Sequence, residues 1–570
     1  MEMTSRTESA EVEQQPVDSP DELSPEPPTL ASAATGLTIP PIGRWTQIHW
    51  GLLLVALVLL VLADRGQHFF YDEWAFVGRK LDALPFPDRY LLPHNEHWSL
   101  LPALAYRTLD AIVGLTSYWP YLGLLLLLHL GVTHVLWRLM LVTGSKPIVA
   151  TALAAVFSVL GAAAEDLVWA FQIGFVGSTL LGVTAVYLAV TGSASWRKTG
   201  ALAGLTLASL ATSGVGLAYL IVVPLVLVWR RRRYGVAAFG LPLLIYVTWY
   251  ALYGRVLTHP PDASATAPLM VGAFVALGLV AALTGYFGLP INGLAAFLIV
   301  GVPVLAGLTI ACRDWMASRT LVGRTSLAMY AGAGAFFGAA GLARGGFGLG
   351  TATASRYVYV AIALLLPGIA LIISNGADRH PLLMRAIVPV AIIMAMSNIF
   401  QLFAYAAQTR LDNNASRRVL VAASDLVRSS SSIFVDQLPE PMLAPDLTTT
   451  DLRSRYPDPA LEGTSPGRSD RLTASLNLQI RVAPVHETGT ASTCRPTLGQ
   501  RITIPTNRQT APRFVVSADA AVAFTLQDGG SRSAQRVIDL PKGIYTISSI
   551  RDAGDLTIES TSPASLLADC

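Results

Sequence analysis

The feature that most constrains this chain is a series of long apolar runs that are nearly free of charge. Runs of about 17–25 apolar residues can cross roughly 30 Å of hydrocarbon. The 570 residues are 52% hydrophobic and 14% charged, which is far more apolar surface than a soluble core requires. We therefore predict a polytopic α-helical membrane protein with about 11 spans, near residues 47–63, 119–141, 147–163, 171–191, 200–214, 216–229, 236–254, 292–311, 327–343, 358–374 and 386–406.

Residues 1–43 differ sharply from these runs. They hold eight acidic residues and the single basic residue Arg6, with Pro, Ser and Thr throughout. Such a segment cannot bury enough apolar area to offset its chain entropy, so we predict a disordered cytoplasmic tail. The net charge of +3 and the lack of a basic, aromatic-rich patch exclude a nucleic-acid partner.

Basic loops predict the orientation of the spans, because short cytoplasmic loops are enriched in Lys and Arg. The apolar segment 271–289 is then expected to be re-entrant or interfacial, because a full crossing would place the basic loops at 230–233 and 313–324 on opposite sides of the membrane. The loop 64–118 and everything after residue 407 face outward, in a multi-pass protein of the cell membrane. The basic positions are 146, 197–198, 230–233, 313–324 and 379–385.

The C-terminal region is predicted to be a separate extracytoplasmic domain. A multi-span domain over residues 44–407 is followed by a polar linker, 408–470, and then by short alternating segments such as "LNLQIRV", "RITIPT" and "AVAFTLQD". These segments predict a small β-sandwich over 471–570. It could bind carbohydrate, or only pack on the membrane domain or mediate assembly. Cys494 and Cys570 form a disulfide there or remain free thiols.

The first outward loop carries two dense polar clusters, "YDEW" and "HNEHW". Asp72 and Glu73 could be a solvated loop edge or a helix N-cap, but His94, Glu96 and His97 follow in the same loop. Long loops with such content are usually functional. We therefore expect these five residues to belong to one site.

A second outward loop, "GAAAEDLVWAFQ", repeats the pattern with Glu165 and Asp166 close to Trp169. Ionisable groups near a bilayer tend to mark a substrate path or an active site. If the two acidic loops converge on one cavity, their aromatic side chains supply stacking faces for a ligand such as a sugar ring.

Arg344 and Arg356 are predicted to lie at the outer ends of two adjoining spans, with Tyr357 beside the second. Either Arg alone could be a residue that extends its charge to the interface. Together with the acidic loops they suit a phosphate, because the planar guanidinium makes bidentate contacts.

Carboxylates above a phosphate-binding Arg pair indicate displacement at the anomeric carbon of a sugar carried on a lipid phosphate. A carboxylate would deprotonate the incoming hydroxyl, and the Arg residues would stabilise the departing polyprenyl phosphate. No P-loop or dinucleotide-binding fingerprint is present in the sequence.

The order of these features over residues 44–407 resembles the GT-C superfamily of membrane glycosyltransferases, and "YDEW", "HNEHW", "AEDLVWAFQIGF" and "ASRYVY" are similar to its actinobacterial members. The resemblance implies a polyprenyl-phosphate-linked sugar donor, a glycan, lipid or protein acceptor of the cell envelope, and contact with membrane lipid. It also implies that Asp72 is the catalytic base, with Glu73 adjacent, and that Glu165 and Asp166 form the second acidic motif.

Two alternatives remain open. Asp72, His94, Glu96 and His97 are ligand types for a divalent cation, although their spacing matches no specific site, so we expect no cofactor. The protein could instead be a transporter, a flippase or a scaffold for lipid-linked glycans. Transporters more often place ionisable residues near the membrane midplane and show repeated halves, and neither feature is evident in the sequence.

Overall fold

The computed structural model describes residues 36–38, 43–77, 84–255, 268–290, 294–318, 320–429, 432–454, 465–485, 497–499, 501–506, 508, 511–516, 518–560 and 566–569. The predicted N-terminal tail lies almost entirely outside these residues, as do Cys494 and Cys570. Cys312 is a buried free thiol.

The membrane domain is a bundle of helices. In chain order they are α1 (Arg44–Ala63), α2 (Glu73–Val77), α3 (Asp88–Leu91), α4 (Leu100–Val113), α5 (Trp119–Val142), α6 (Pro147–Phe157), α7 (Glu165–Val168), α8 (Ile173–Val190), α9 (Trp196–Leu210), α10 (Gly216–Arg230), α11 (Arg232–Trp249), α12 (Pro268–Tyr286), α13 (Leu294–Ala296), α14 (Val302–Ser318), α15 (Leu321–Arg344), α16 (Ser355–Arg379) and α17 (Pro381–Ser429).

Short 3₁₀ and π-helical turns connect or extend some of these helices. The 3₁₀ turns are Gly161–Ala163, Ala170–Gln172, Gly345–Phe347 and Leu349–Thr353, and the π-helical turns are Tyr250–Gly254 and Phe297–Gly301.

The membrane-spanning character predicted from the sequence is confirmed. In the described part of the chain, nine helices are long and apolar enough to cross a membrane, and α6 and α10 are shorter apolar helices. The central helix is α16, which is buried along most of its length, whereas α1 and α11 expose much of their apolar surface. A lipid-facing ring around a buried helix is the arrangement expected when the solvent is hydrocarbon.

Two pairs of the predicted cytoplasmic loops are in contact. Lys146 Nζ lies 2.5 Å from Asp378 Oδ1, which joins the loop before α6 to the end of α16. The Arg324 guanidinium lies 5.9 Å from the ring centroid of Trp229, beside the basic run 230–233. These contacts agree with the predicted grouping of loops, whereas the side of the membrane that this end faces stays a prediction.

Helix α12 corresponds to the segment expected to be re-entrant. It is one continuous 19-residue helix, and by length and composition it could cross a membrane. Its early residue Phe274 packs on Gly341 near the end of α15, and the Tyr286 carbonyl accepts from Asn398 Nδ2 at 3.3 Å. Asn398 Oδ1 in turn accepts from the amide of Ala162. The re-entrant or interfacial placement of this segment stays a prediction.

The predicted linker over 408–470 is wrong in its first third. Helix α17 continues without a break to Ser429, so its 49 residues extend roughly 70 Å at 1.5 Å per residue. The part beyond the membrane stays helical because Leu420, Ala423 and Val427 recur at helical spacing and are buried. A segment over 432–454 with the short helix α18 (Thr449–Ser454) follows.

The C-terminal domain is a β-sandwich, as predicted, preceded by helix α19 (Arg468–Gln479). One antiparallel sheet has the order β1-β8-β4-β10-β2, and the other has the order β3-β9-β5-β6 with β7 also paired to β5. The strands are β1 (Ile480–Pro484), β2 (Thr497–Gly499), β3 (Arg501–Pro505), β4 (Arg513–Val516), β5 (Ala520–Asp528), β6 (Ser531–Arg532), β7 (Arg536–Leu540), β8 (Gly543–Ser549), β9 (Asp555–Ser560) and β10 (Leu566–Asp569).

Helix α19 joins the two halves of the protein. Leu472 and Leu476 enter the sandwich core, whereas Ala474 and Leu478 enter the core of the membrane domain. The "LNLQ" part of a predicted strand, residues 476–479, is therefore helical, because alternate faces of a helix serve two different cores. The ion pair between Arg418 Nε and Asp470 Oδ2, at 3.3 Å, adds a polar contact between α17 and α19.

Candidate functional site

A cavity of about 300 Å³ opens where the first loop predicted to face outward meets the ends of several membrane helices. The loop 64–118, the turns before α8 and α10, and the facing ends of α15 and α16 all contribute to its wall. Eight of the eleven site residues predicted from the sequence line it: Asp72, His94, Glu96, His97, Trp169, Arg344, Arg356 and Tyr357.

Asp72 lies immediately before α2 and presents its carboxylate to the cavity, with 27% of the side chain exposed. Asn95 Nδ2 donates to Asp72 Oδ2 at 2.7 Å, and His94 Nε2 lies 3.7 Å from the same oxygen. Both contacts involve one carboxylate oxygen. Among the described contacts Oδ1 is therefore left to accept a proton from a hydroxyl in the cavity.

The "HNEH" stretch forms a tight turn that presents its side chains to the cavity. The amide of His94 donates to the His97 carbonyl at 3.0 Å, and the His97 amide donates back at 2.9 Å. Asn95 and Glu96, between them, have φ of 44° and 64°. Asn tolerates this left-handed conformation, whereas Glu adopts it at a cost, and such strain concentrates at functional sites.

Tyr71, which precedes Asp72, also has a positive φ of 51°. In the described part of the chain, Tyr71, Asn95 and Glu96 are the three non-glycine residues in this conformation. All three adjoin or line the cavity, so the strained backbone is confined to the candidate site.

Both Arg residues of the cavity are held by carboxylates. Arg344 Nη2 lies 2.5 Å from Glu96 Oε2, and Arg356 Nη1 lies 2.8 Å from Glu165 Oε1. A guanidinium has five N–H donors, so each retains donors for another anion. Glu165 orients Arg356 from outside the cavity, a role that differs from the direct substrate contact predicted for it.

His97 is one of the two histidines that line the cavity. Burial, followed by the positive charge of Arg344, lowers the pKa of His97 to about 4, so its ring is neutral at pH 7. The ring packs against Gly214, where an added Cβ would lie 2.8 Å from His97 Nδ1. Glycine at 214 therefore allows the turn after α9 to approach the ring.

Two predicted site residues lie in the interior instead of the cavity wall. Glu73 is fully buried: Tyr106 and Tyr118 donate their hydroxyls to Oε1 at 2.5 and 2.8 Å, and the Phe70 amide donates to Oε2 at 2.9 Å. Burial raises the pKa of Glu73 to about 8. We therefore revise Glu73 from a candidate catalytic group to one that fixes the turn behind Asp72.

Asp166 is also fully buried, and its carboxylate has no hydrogen-bond partner in another described residue. Burial, reinforced by Glu165, raises the pKa of Asp166 well above its ordinary value. A neutral carboxyl in this position does not contact a ligand in the cavity, so its predicted substrate-binding role is not supported by its position.

Aromatic rings cover one wall. Trp169 and Phe171 stack with centroids 5.1 Å apart, Phe76 stacks on Phe171 at 5.2 Å, and Phe175 stacks with Tyr357 at 6.4 Å. Such faces suit the apolar side of a sugar ring.

The sequence reasoning missed several lining residues. Asn95 and Phe171 sit inside motifs that were recognised, so only their orientation was unknown. The polar turn at Thr212 and Ser213 could have been found, because it interrupts two apolar runs on the outward side. Tyr246 and Phe336 line the cavity from helices α11 and α15, where an apolar run gives no signal.

No three His, Cys, Asp or Glu side chains converge on a metal-binding cluster among the residues with described positions. The residues that were considered as cation ligands are instead paired with neighbours, as Asp72 is with Asn95 and Glu96 is with Arg344.

Comparison with known proteins gives little further information. No protein-family model and no curated protein matches the chain. Among solved structures, it is similar to the crystal structure of ArnT from Cupriavidus metallidurans bound to undecaprenyl phosphate, with 15% identity and a TM-score of 0.46 over 74% of this chain and 87% of that chain. A similarity at this level does not assign the chain to a family, so the function is argued from the cavity itself.

Proposed function

We propose that this protein is a membrane glycosyltransferase of the GT-C type, which transfers a sugar from a polyprenyl-phosphate donor to a cell-envelope glycan, lipid or protein acceptor on the outer face of the membrane. The observation that carries the proposal is one cavity in which a carboxylate, two Arg residues and a wall of aromatic rings meet at the ends of membrane helices.

Each part of the cavity has a role in this reaction. Asp72 accepts the proton of the acceptor hydroxyl as that oxygen attacks the anomeric carbon. Arg344 and Arg356 bind the donor phosphate and stabilise the negative charge that grows on it as the bond to the sugar breaks. The exposed faces of the Trp169 and Phe171 rings support the sugar ring.

The ion pairs of the Arg residues support this assignment. Glu96 and Glu165 hold the guanidiniums in fixed positions before a donor arrives. Preorganised charges stabilise a transition state more effectively than charges that must first reorganise. The position of the cavity at the helix ends, away from the midplane sites typical of transporters, supports an enzyme over a carrier.

A comparison of lipid extracts tests the proposal while the sugar is still unidentified. Cells that carry Asp72→Asn should accumulate a polyprenyl-phosphate sugar that wild-type cells consume, and mass spectrometry of membrane lipids would identify it. Asp88→Asn is the matched control, because Asp88 belongs to the same loop but does not line the cavity. An unchanged pool of lipid-linked sugars in the Asp72→Asn cells would contradict the proposal.

A further inference from the structure

A turn that precedes the C-terminal domain contacts the loop that carries Asp72. The amide of Tyr71 donates to the carbonyl of Leu443 at 2.6 Å. Because Tyr71 directly precedes Asp72, this bond is one residue away from the candidate base. It joins two segments that are more than 370 positions apart in the sequence.

Tyr71 needs an external contact to keep its conformation. A bulky residue at a φ of 51° is strained, and Tyr71 is 40% exposed, so packing of the ring alone does not hold it. If the Tyr71 backbone relaxed to a negative φ, its amide would lose the hydrogen bond to the Leu443 carbonyl.

The Leu443 carbonyl is in turn fixed by Glu440. Glu440 is buried, with 7% exposed, and its Oε1 accepts from the amides of Met442 at 2.9 Å and Leu443 at 3.2 Å. One side-chain oxygen thus closes the 440–443 turn and holds the peptide group that precedes Leu443. The next peptide group, which carries the Leu443 carbonyl, is held by the bond from the Ala444 amide to the backbone carbonyl of Glu440 at 3.0 Å. Removing the acceptor of hydrogen bonds to a buried carboxyl group costs much more than removing an exposed acceptor.

The same turn is tied to the C-terminal domain. Asn477 Nδ2, on α19, donates to the carbonyl of Pro439 at 3.0 Å. A continuous set of hydrogen bonds therefore runs from α19 through the 440–443 turn to Tyr71.

We infer that Glu440 is a positioning residue for Asp72: it orders the 440–443 turn, which holds the Tyr71 amide and so fixes where the Asp72 carboxylate enters the cavity. The C-terminal domain is then a structural part of the site, because α19 anchors the turn. The importance of Asp72 rests on the proposed function, whereas the ordering of its loop does not.

Hydrogen–deuterium exchange of the full-length protein in lipid nanodiscs tests the ordering without any substrate. Glu440→Ala removes the acceptor oxygen, so the peptide that contains residues 70–76 should exchange about tenfold faster, as expected for the loss of roughly one stabilising hydrogen bond. Glu440→Gln keeps a carbonyl oxygen at the same place and should exchange at nearly the wild-type rate.

Asp470→Ala is the matched control. Asp470 and Glu440 line one cavity between α17, the 440–443 turn and α19. Asp470 Oδ2 lies 3.3 Å from Arg418 Nε and accepts from the Gly467 amide at the start of α19, and none of its described hydrogen bonds involves the 440–443 turn. Its loss should leave exchange over residues 70–76 unchanged. Equal acceleration in Glu440→Ala and Asp470→Ala would overturn the inference, since general loosening of the domain would then explain the effect, and so would no acceleration in Glu440→Ala.

Kinetics with the donor identified from lipid extracts provide the second measurement. Glu440→Ala should lower kcat with little change in the donor KM, and Glu440→Gln should restore kcat. Normal kcat in Glu440→Ala, together with faster exchange, would overturn the positioning role. Absence of transfer by the wild type would instead refute the proposed function and leave the exchange result to decide on the ordering of the loop.

Discussion

The buried carboxyl of Glu73 predicts an unusual dependence of stability on pH. Its ordinary pKa is 4.5, and burial raises it to about 8 in the folded protein. Between these values the native state holds a proton that the unfolded state has lost. Stability therefore falls as pH rises through this window, by about 5 kcal/mol at 1.36 kcal/mol per pH unit if the shift is fully expressed.

Glu73→Gln isolates this effect, because glutamine has nearly the same shape and does not titrate. Its Oε1 can still accept from Tyr106 and Tyr118, whereas its Nε2 would face the Phe70 amide and lose that bond. The lost bond lowers the free energy of unfolding of Glu73→Gln by about 1–3 kcal/mol at every pH. The test is therefore how the difference in stability between the two proteins changes with pH.

The assay is thermal unfolding of both proteins in the same detergent, from pH 5 to pH 9. The Tm of the wild type relative to Glu73→Gln should fall steadily as pH rises from 5 to 8 and become constant near pH 9. Parallel Tm curves across the range would refute the assignment of Glu73 as a neutral, buried group.

Three further predictions concern the cavity and its orientation. Arg356→Lys keeps the charge but loses the planar fork, so donor binding measured by calorimetry should weaken by about 1.5–3 kcal/mol, and an unchanged affinity would remove Arg356 from the phosphate site. Gly214→Ala brings a methyl group to within 2.8 Å of the His97 ring, so transfer should fall. Gly338→Ala, at a helical position of α15 with open space around it, is the control and should preserve transfer; equal effects would contradict the packing role. A cysteine introduced at Ser531 should react with an impermeant reagent in intact cells, and protection until the membrane is broken would contradict the outward orientation.

The spans could be predicted from the sequence because hydrocarbon imposes one dominant requirement, a long apolar helix. Each of the eleven predicted spans overlaps a helix of the structure, whereas the number of helices that cross the membrane stays a prediction. The end of α17 could not be predicted from composition alone, because its polar residues are equally typical of a linker. The helical spacing of the buried residues Leu420, Ala423 and Val427 does distinguish a helix from a linker.

The site could be predicted in its residue types but not in its pairings. The sequence identified acidic, basic and aromatic clusters, yet the contact between Arg344 and Glu96 joins residues 248 positions apart. Asp72 and Glu73 are adjacent in the chain, so the sequence alone did not show which carboxylate faces the cavity. At the start of a helix, successive side chains point in different directions, so one enters the cavity and the other enters the core.

The role of Asp72 is the central claim, and the transfer rate of Asp72→Asn tests it most directly. The change keeps the size of the side chain and most of its hydrogen bonding but removes its ability to accept a proton. With the donor identified from lipid extracts, purified Asp72→Asn should transfer sugar about 10²–10⁴-fold more slowly than the wild type, with donor affinity and Tm nearly unchanged. Transfer by Asp72→Asn at the wild-type rate would contradict the assignment of Asp72 as the base.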